Sequence, residues 1–357
     1  MRHTHALILA GGRGTRFWPR SRRSHAKQVL KFFGERSLIQ QTVDRLTKLI
    51  PPHRIWVLTN DHLRAEIIKQ LPEVPACQIL AEPAQRNTAP AIGLAAHLIQ
   101  AVDPDAVMGV FPSDHVIGNP REYIRHLKPA FQEAAKGKIV VLGIQPRWPE
   151  TGYGYVEFPK GAESGKRTAI QVLRFREKPD LKTAKRFVAA GNFYWNAGMF
   201  FWRTDVLLDA LRQHLPETAG LLATLPPMGS RSFATRLKEV FPQCENISID
   251  YAVLERANNV VGIPASDFGW NDVGSWNAVY ELHERDPYGN ALRGLHLIED
   301  SHGNYVDAGG KLVALLGVRD LVIVDTPDAL LIADRSRAQE VGDLVKRLEK
   351  EGRHELL

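Results

Sequence analysis

A glycine-rich turn follows the first apolar run of the sequence. Residues 6–10 are apolar, and Gly11, Gly12, Gly14 and Arg16 come directly after them. Clustered glycines expose backbone N–H groups and let a ligand approach the main chain, so this turn favours an anion such as a phosphate. In a P-loop the last glycine is followed by a lysine, but no lysine follows Gly14. The third glycine of a dinucleotide-binding turn is also absent. A tight turn with an incidental arginine is the alternative.

Two aspartates have the surroundings of a metal site. Asp114 directly follows the apolar segment 106–111, and Asp272 lies in a stretch dense in aromatic residues and glycines, 267–276. Magnesium in proteins is usually held by one or two carboxylates, with substrate phosphates and water as the remaining ligands. The pair therefore predicts a Mg²⁺ site that is completed by a nucleotide. Because aspartate also caps turns and helices, a structural role is the alternative for each residue.

Four basic residues are candidates for binding phosphate. Arg16 lies on the glycine turn, and Lys27, Arg86 and Lys178 each lie on a separate predicted loop. Arginine offers a planar fork to phosphate oxygens, whereas lysine offers a mobile point charge. Taken singly, each is an ordinary surface charge. Taken together, they predict a cleft that receives a polyphosphate and a second phosphate.

The composition excludes several other classes of protein. With only two cysteines in 357 residues, a disulfide framework or a cysteine-rich zinc site is excluded. The net charge of +6 is scattered, without the aromatic-interleaved basic stripe of a single-strand binder, so small anions and not nucleic acids are the expected partners. No apolar run reaches the ~18 residues of a membrane span, and the N-terminus lacks a signal-peptide core. We therefore expect a cytoplasmic protein without membrane contact.

The first half of the chain alternates between strand-like and helix-like patterns. Asp61 is a candidate cap for the second helix, and the alternation is typical of parallel βαβ units around a buried sheet. Ligands of such sheets bind at the carboxyl ends of the strands, where the candidate residues lie. The pattern predicts strands over 6–10, 55–59, 78–81, 106–111 and 139–142, and helices over 38–49, 63–71, 89–102 and 123–135.

The later part of the chain has shorter β-rich pieces. We expect two domains, 1–286 and a β-rich segment 287–357 with strands over 312–316, 321–324 and 329–332. The segment ends in an amphipathic helix, whose apolar face packs either on its own chain or on a second subunit. The residues expected to share this face are Ala338, Val341, Leu344, Val345 and Leu348.

An ordered series of motifs resembles the sugar-nucleotide pyrophosphorylases, and the Phe17-Trp-Pro variant is similar to their mannose-1-phosphate guanylyltransferase branch. The resemblance spans nearly the whole chain and implies an α/β nucleotidyltransferase fold of the glycosyltransferase type A kind, with a mixed, mainly parallel sheet. The stretch before Lys27, Ser24-His-Ala, departs from the proline-lysine that is usual there. The motifs cover residues 9–16, 17–22, 27–28, 82–90, 112–115, 149–155, 175–179, 195–200, 248–253 and 269–276.

This resemblance implies a role for each candidate residue. The implied catalytic residues are Arg16 and Lys27, which would hold the triphosphate, and Asp114 and Asp272, which would bind Mg²⁺. The residues implied to bind the nucleotide are Leu9, Gly11, Gly12, Gly14, Thr15, Glu82, Arg86, Asn87, Thr88 and Ser113. Those implied to bind the sugar phosphate are Gly154, Glu177, Lys178 and Asn196.

The same resemblance implies the reaction and the partners. It implies transfer of a guanylyl group from GTP to α-D-mannose 1-phosphate by in-line attack of the sugar phosphate on the α-phosphorus, in a homodimeric enzyme. Longer members append a phosphomannose isomerase barrel, for which this chain is too short, so we expect one activity. A transferase for another sugar or base, and a non-catalytic sensor of nucleotide sugars, are the alternatives.

Overall fold

The computed structural model describes residues 2–357. Its helices alternate with strands in the first half and become sparse after residue 282. The strands are β1 (Thr4–Leu9), β2 (Ile55–Asn60), β3 (Ile79–Glu82), β4 (Val107–Pro112), β5 (Val116–Ile117), β6 (Ile139–Ile144), β7 (Tyr155–Glu157), β8 (Ile170–Gln171), β9 (Arg174–Arg176), β10 (Phe193–Arg203), β11 (Val260–Pro264), β12 (Trp270–Asn271), β13 (Ala291–Arg293), β14 (His296–Glu299), β15 (Tyr305–Ala308), β16 (Val313–Leu316), β17 (Leu321–Asp325) and β18 (Leu330–Asp334). The α-helices are α1 (Leu38–Leu46), α2 (Asp61–Gln70), α3 (Thr88–Val102), α4 (Pro120–Ala135), α5 (Leu181–Ala190), α6 (Thr204–His214), α7 (Pro216–Ala223), α8 (Phe233–Val240), α9 (Trp276–Leu282) and α10 (Val341–Lys350).

A central sheet in the order β3-β2-β1-β4-β10-β6-β11-β8 organises the first 264 residues. β1 pairs in parallel with β2 and β4, and β6 pairs in parallel with β11. Side chains on both faces of β1 are buried, which is why its sequence reads as a continuous apolar run instead of alternating. Helices cover both faces through two separate apolar clusters. The predicted α/β fold is confirmed.

One strand of the expected mixed sheet was not predicted, and one predicted helix cap is wrong. β10, which the alternating pattern does not reveal, lies antiparallel between β4 and β6 and makes the sheet mixed. Its central position follows from long-range pairing, which leaves no local signature. The cap of α2 is Asn60 and not Asp61, because the Asn60 side chain accepts a hydrogen bond from the Leu63 N–H at 3.1 Å.

The C-terminal segment is built from stacked short strands. β13, β15 and β17 pair in parallel, β18 closes that sheet antiparallel, and β14 pairs in parallel with β16. α10 follows and packs on the turn formed by Thr15–Phe17, with Val341 and Val345 buried. The apolar face of this helix therefore packs on its own chain. The prediction for Leu344 is wrong, because this side chain is 45% exposed.

No helix in residues 2–357 is both long enough and apolar enough to cross a membrane.

Candidate active site

The glycine turn after β1 is held against the segment that carries Lys27. Gly14 has φ +61°, and a Cβ atom there would lie 2.7 Å from the Lys27 Cβ, so only glycine fits. The Gln28 side chain donates hydrogen bonds to the carbonyl oxygens of Ala10, at 2.7 Å, and of Gly12, at 3.1 Å. Because both carbonyl groups accept hydrogen bonds from Gln28, the conformation of the turn is fixed before any ligand binds.

Lys27 joins the two predicted metal ligands. Its side chain is only 9% exposed, and its Nζ lies 2.9 Å from Asp114 Oδ2 and 2.5 Å from the main-chain carbonyl oxygen of Asp272. Burial by itself would favour a neutral Asp114, but the charge of Lys27 and the Lys27 hydrogen bond hold the pKa of this carboxyl below the usual value. Asp114 is therefore ionised at neutral pH, as a metal ligand must be.

The second aspartate is oriented by a tyrosine that we did not predict. The Tyr153 hydroxyl donates to Asp272 Oδ1 at 2.6 Å, and burial together with this carboxylate raises the pKa of the phenol. On the other side, the Trp270 indole N–H lies 3.1 Å from His115 Nδ1. Burial lowers the pKa of His115 to about 4, so the ring is neutral and accepts this bond.

Asp114 and Asp272 line one cleft of about 330 Å³, together with Gly14, Thr15, Arg16 and Lys27. Each aspartate commits one carboxylate oxygen to a side-chain partner. Within residues 2–357 no group of three or more His, Cys, Asp or Glu side chains forms a metal site. Two carboxylates with phosphates and water as the other ligands are nevertheless the usual set for Mg²⁺, so these residues fit that ion.

A second cavity of about 460 Å³ lies beside this cleft and shares Asp114 with it. It brings together most of the residues predicted to bind the nucleotide, while Gly14 and Thr15 lie in the cleft. We call it the nucleotide pocket. Its predicted lining residues are Leu9, Gly11, Gly12, Glu82, Arg86, Asn87, Thr88 and Ser113, and its unpredicted ones include Gln28, Gln85 and Asn246.

Glu82 is the unusual residue of the nucleotide pocket. Its Oε1 is buried and has no hydrogen-bond partner in the described chain, residues 2–357. Burial raises the pKa of this carboxyl to about 8, so it is mainly protonated at neutral pH. A buried polar atom without a partner is costly for folding, and such an atom in a pocket is typical of a group that waits for a ligand.

The neighbouring loop residues also have structural contacts. The Arg86 guanidinium donates to the Pro242 carbonyl oxygen. Asn87, at φ 63°, accepts a hydrogen bond from the Thr88 N–H at the start of α3, and the Thr88 hydroxyl accepts one from the Ile249 N–H at 2.9 Å. The N-terminus of this 15-residue helix thus borders the pocket, and its partial positive charge favours an anion there.

The residues predicted for the sugar phosphate form a cluster of their own. A Cβ atom on Gly154 would collide with Glu177 Oε2 and would lie 3.4 Å from the Asn196 Cβ, so the glycine allows these side chains to meet. Lys178 Nζ donates to Glu177 Oε1 at 2.7 Å, and the other Glu177 oxygen is buried without a partner within residues 2–357. The main-chain carbonyl of Tyr153 accepts a bond from the Lys178 N–H and connects the cluster to the metal cleft.

Asp250 is a member of this cluster that the prediction of site residues left out. Its Oδ1 accepts a hydrogen bond from Asn196 Nδ2 at 3.1 Å. Burial, and next the charge of Glu177, raise the pKa of Asp250 to about 7. The motif 248–253 was a signal that could have found it, but nothing in its local spacing distinguishes Asp250 from a helix cap.

A glycine-rich turn after β1, paired aspartates at the sheet edge and a polar cluster beyond them are the arrangement of a nucleotidyltransferase. The family model for nucleotidyl transferases matches residues 5–288, and one described as a MannoseP isomerase/GMP-like beta-helix domain matches residues 294–348. The chain belongs to the nucleotidyl transferase family, among its mannose-1-phosphate guanylyltransferases. The resemblance found in the sequence is thereby confirmed.

Several relatives align over nearly the whole chain. The alginate biosynthesis protein AlgA of Pseudomonas aeruginosa is 39% identical over 98% of this chain and 73% of its own length. A mannose-1-phosphate guanylyltransferase of Escherichia coli is 38% identical over 98% of this chain and 74% of its own. A crystal structure from Thermus thermophilus, described as a mannose-1-phosphate geranyltransferase, superposes with a TM-score of 0.85 at 34% identity and covers 97% of this chain and 99% of that one.

Proposed function

We propose that the protein transfers the guanylyl group of GTP to α-D-mannose 1-phosphate, giving GDP-mannose and pyrophosphate. The names of several relatives support this activity. The observation that carries the choice of base is the buried, unpartnered carboxyl of Glu82 in the nucleotide pocket. Guanine presents two adjacent donors, N1–H and the N2 amino group, to a carboxylate. Adenine presents an acceptor at N1, which pairs with the protonated acid and leaves the ionised carboxylate unpaired, so it is the ionised form of Glu82 that selects guanine.

The reaction depends on aligning the phosphates and neutralising their charge more than on a general base. The second phosphate pKa is about 6, so the attacking oxygen of the sugar phosphate is already ionised at neutral pH. The remaining obstacle is repulsion between two polyanions. In this proposal the backbone N–H groups of the glycine turn and the Arg16 side chain hold the triphosphate, and Lys27 supplies a fixed positive charge between the two aspartates.

Asp114 and Asp272 would hold Mg²⁺, which when bound neutralises charge on the phosphates and on the leaving pyrophosphate. The protein itself prepares this site, because Lys27 keeps Asp114 ionised and Tyr153 fixes the orientation of Asp272. On the sugar side, Glu177, Asn196 and Asp250 would bind hydroxyl groups. Lys178, whose side chain is 58% exposed, would turn from Glu177 to the sugar phosphate.

The test is pyrophosphate release measured with GTP, ATP, UTP and dTTP, each paired with mannose 1-phosphate and glucose 1-phosphate. We expect the highest kcat/KM for GTP with mannose 1-phosphate, with the other bases about a hundredfold lower, since a site built for hydrogen bonds rejects analogues that lack them. Chromatography of the product should give GDP-mannose. Preference for UTP or dTTP would refute the proposed specificity for guanine. Preference for glucose 1-phosphate would refute the proposed specificity for mannose. A cytoplasmic homodimer is part of the same proposal.

A further inference from the structure

The stretch that carries Arg16 and Lys27 is docked on the β-rich C-terminal segment. We call residues 13–33 the cationic segment. Phe17 packs in one apolar cluster with α10. The polar contacts of the cationic segment with the C-terminal segment are those of Arg13 with Glu349, of the Trp18 indole with the Leu356 carbonyl oxygen, of Arg20 with Asp307 and of Arg22 with Asp328. The function proposed above uses Arg16 and Lys27 and assigns no role to these contacts.

Asp307 of β15 is the buried anion of this interface. Its side chain is 3% exposed, and both of its oxygens accept hydrogen bonds from the Arg20 guanidinium, Oδ2 from Nε at 3.0 Å and Oδ1 from Nη2. Arg293 Nη1, on β13, lies 3.7 Å from the same Oδ2 and donates to the Phe32 carbonyl oxygen at 3.3 Å. Arg20 precedes Lys27 in the chain and Phe32 follows it. One carboxylate thus fixes the cationic segment on both sides of Lys27.

A buried ring connects these two sides to the Lys27 ammonium group. The Phe17 ring centroid lies 5.1 Å from that of Phe32 and 5.4 Å from that of Trp276. Lys27 Nζ lies 5.6 Å from the Phe17 ring centroid. Because Phe17 and Phe32 are closely packed and Phe17 directly follows Arg16, a shift of the Phe32 side would displace both basic residues.

The geometry of the Arg20 and Asp307 pair favours alignment over cohesion. Taking a carboxylate out of water is costly even when it is paired, and apolar residues of similar volume often stabilise an interface equally well. Such packing is already present in the cluster of Phe17 and Val345. The planar fork of Arg20 adds direction, since two hydrogen bonds to one carboxylate fix the angle between the partners. The pair therefore sets the position of the cationic segment.

We propose that Asp307 is a positioning residue for the nucleotidyl transfer. Acting through Arg20 and Arg293, it holds the cationic segment so that Arg16 and Lys27 face the triphosphate. The proposal rests on the proposed function. It makes the C-terminal segment part of the frame of the active site, although that segment contributes none of the residues proposed to touch the substrates.

The sugar side of the site has a different frame. Glu177 directly follows β9 and Asn196 lies within β10, so both residues are positioned by the central sheet. Loosening the cationic segment should therefore affect the two substrates unequally. This inequality distinguishes a positioning role from a general loss of stability, which would lower the amount of active enzyme and leave both KM values unchanged.

The test is Asp307→Asn, which keeps the shape of the side chain and removes its charge. We expect the KM for GTP to rise about tenfold and kcat to fall about tenfold, because displaced phosphate ligands bind and align the triphosphate less well. The KM for mannose 1-phosphate should change less than about twofold. Peptides that cover residues 13–33 should exchange their amide hydrogens faster than in the wild type. β15 should stay folded, since Val306 and Ala308 belong to a separate apolar cluster.

A second variant removes both charges. In Arg20→Gln combined with Asp307→Asn, the arginine charge is not left without its partner, so the unfolding temperature should stay within about 4 °C of the wild type. The KM for GTP should still be about tenfold higher, because the shorter amides do not restore the two parallel hydrogen bonds. A wild-type KM for GTP in this double variant would attribute the defect of Asp307→Asn to the unpaired arginine and would overturn the positioning role.

The matched control is Asp325→Asn, on the neighbouring strand β17. The Asp325 side chain is 10% exposed and pairs at 2.9 Å with Lys311, which belongs to the same C-terminal segment. The control thus removes a comparable paired carboxylate from the same sheet. It should leave both KM values and the hydrogen exchange of residues 13–33 unchanged.

An unchanged KM for GTP in Asp307→Asn, or an equal rise in both KM values, would overturn the proposal. If the wild type releases no pyrophosphate from GTP and mannose 1-phosphate, the proposed function fails by itself. Hydrogen exchange then still decides the anchoring, because faster exchange over residues 13–33 in Asp307→Asn supports it and unchanged exchange overturns it.

Discussion

The ammonium group of Lys27 lies 2.9 Å from a carboxylate oxygen of Asp114 and hydrogen-bonds the Asp272 main chain as well. One cation thus connects the segment that carries Lys27, the end of β4 and the loop before α9. This arrangement makes Lys27 an organiser of the predicted metal site, in addition to its proposed role as a contact for phosphate.

Replacing Lys27 by Met should disable this site through Asp114. Without the lysine, burial would dominate and raise the pKa of Asp114 toward neutrality, which weakens Mg²⁺ binding. We expect turnover to fall about a hundredfold or more, with a higher apparent KM for Mg²⁺ and partial recovery as the pH rises from 6 to 8. The exposed Lys31→Met is the control. Wild-type turnover in the Lys27 variant would contradict the role.

Asp272→Asn should separate nucleotide binding from turnover. The amide keeps the shape and a hydrogen-bond acceptor for Tyr153, but it is a poor ligand for Mg²⁺. We expect GTP still to bind in equilibrium dialysis and kcat to drop about a hundredfold, as should treatment of the wild type with a chelator. Asp209→Asn, on the surface of α6, is the matched control. Unchanged turnover at saturating Mg²⁺ would exclude the metal assignment.

Glu82 should give GTP binding a characteristic pH dependence. Its pKa of about 8 means that the free protein holds a proton which guanine, as a double donor, must displace. The KM for GTP should therefore fall as the pH rises from 6 to 8 and level off above the pKa of the free protein. Glu82→Gln should weaken GTP binding at pH 8 and remove most of the dependence of this KM on pH. The control Glu73→Gln, at an exposed position, should retain the pH dependence of the wild type. A flat profile in the wild type would contradict a role for this carboxyl in reading the base.

The protonated Glu82 also affects stability. Between its ordinary pKa and about 8, the folded protein keeps a proton that the unfolded chain has lost, so stability falls as the pH rises through this window. Glu82→Gln should remove that part of the pH dependence, as measured by thermal unfolding at pH 5 and pH 8. If Glu82→Gln raised the unfolding temperature above that of the wild type by more at pH 5 than at pH 8, the result would contradict a protonated Glu82.

Lys178→Ala should act mainly on the sugar phosphate. The side chain forms an ion pair with Glu177 and is 58% exposed, so its loss should leave the fold intact. We expect an increase of about tenfold in the KM for mannose 1-phosphate, with a small change in the KM for GTP. Lys182→Ala, exposed on the neighbouring α5, should behave as the wild type. An effect confined to the KM for GTP would contradict this role and would show that Lys178 contributes to GTP binding instead.

The predicted homodimer has a candidate surface on the C-terminal segment. One face of the β14 and β16 pair exposes Leu297 by 63% and Leu316 by 75%, with Leu295 and Leu312 beside them. Exposed apolar patches of this kind mark protein contacts. Leu316→Glu should shift the protein from dimer to monomer in sedimentation, whereas Leu181→Glu, equally apolar and exposed on α5, should not. A monomeric wild type would exclude the dimer itself.

Local patterns predicted the nucleotide half well and the rest less well. The strand at 55–59 and the helix at 89–102 stand within one residue of β2 and α3, because an apolar run and a helical period are local properties. The antiparallel β10 was not placed, since its neighbours β4 and β6 are set by pairing over long distances. Asp250 was left out for the same reason, because only its contact with Asn196 distinguishes it.

The sequence alone determined the alternation of strands and helices, the glycine turn and the motifs that mark the family. Parallel strands bring their carboxyl ends to one edge, so the approximate site followed from the order of the elements. Only the tertiary structure decided that Lys27 connects Asp114 to Asp272, that Glu82 is protonated and that Glu349 reaches Arg13. These properties depend on burial and on contacts between residues far apart in the chain, which no local period encodes.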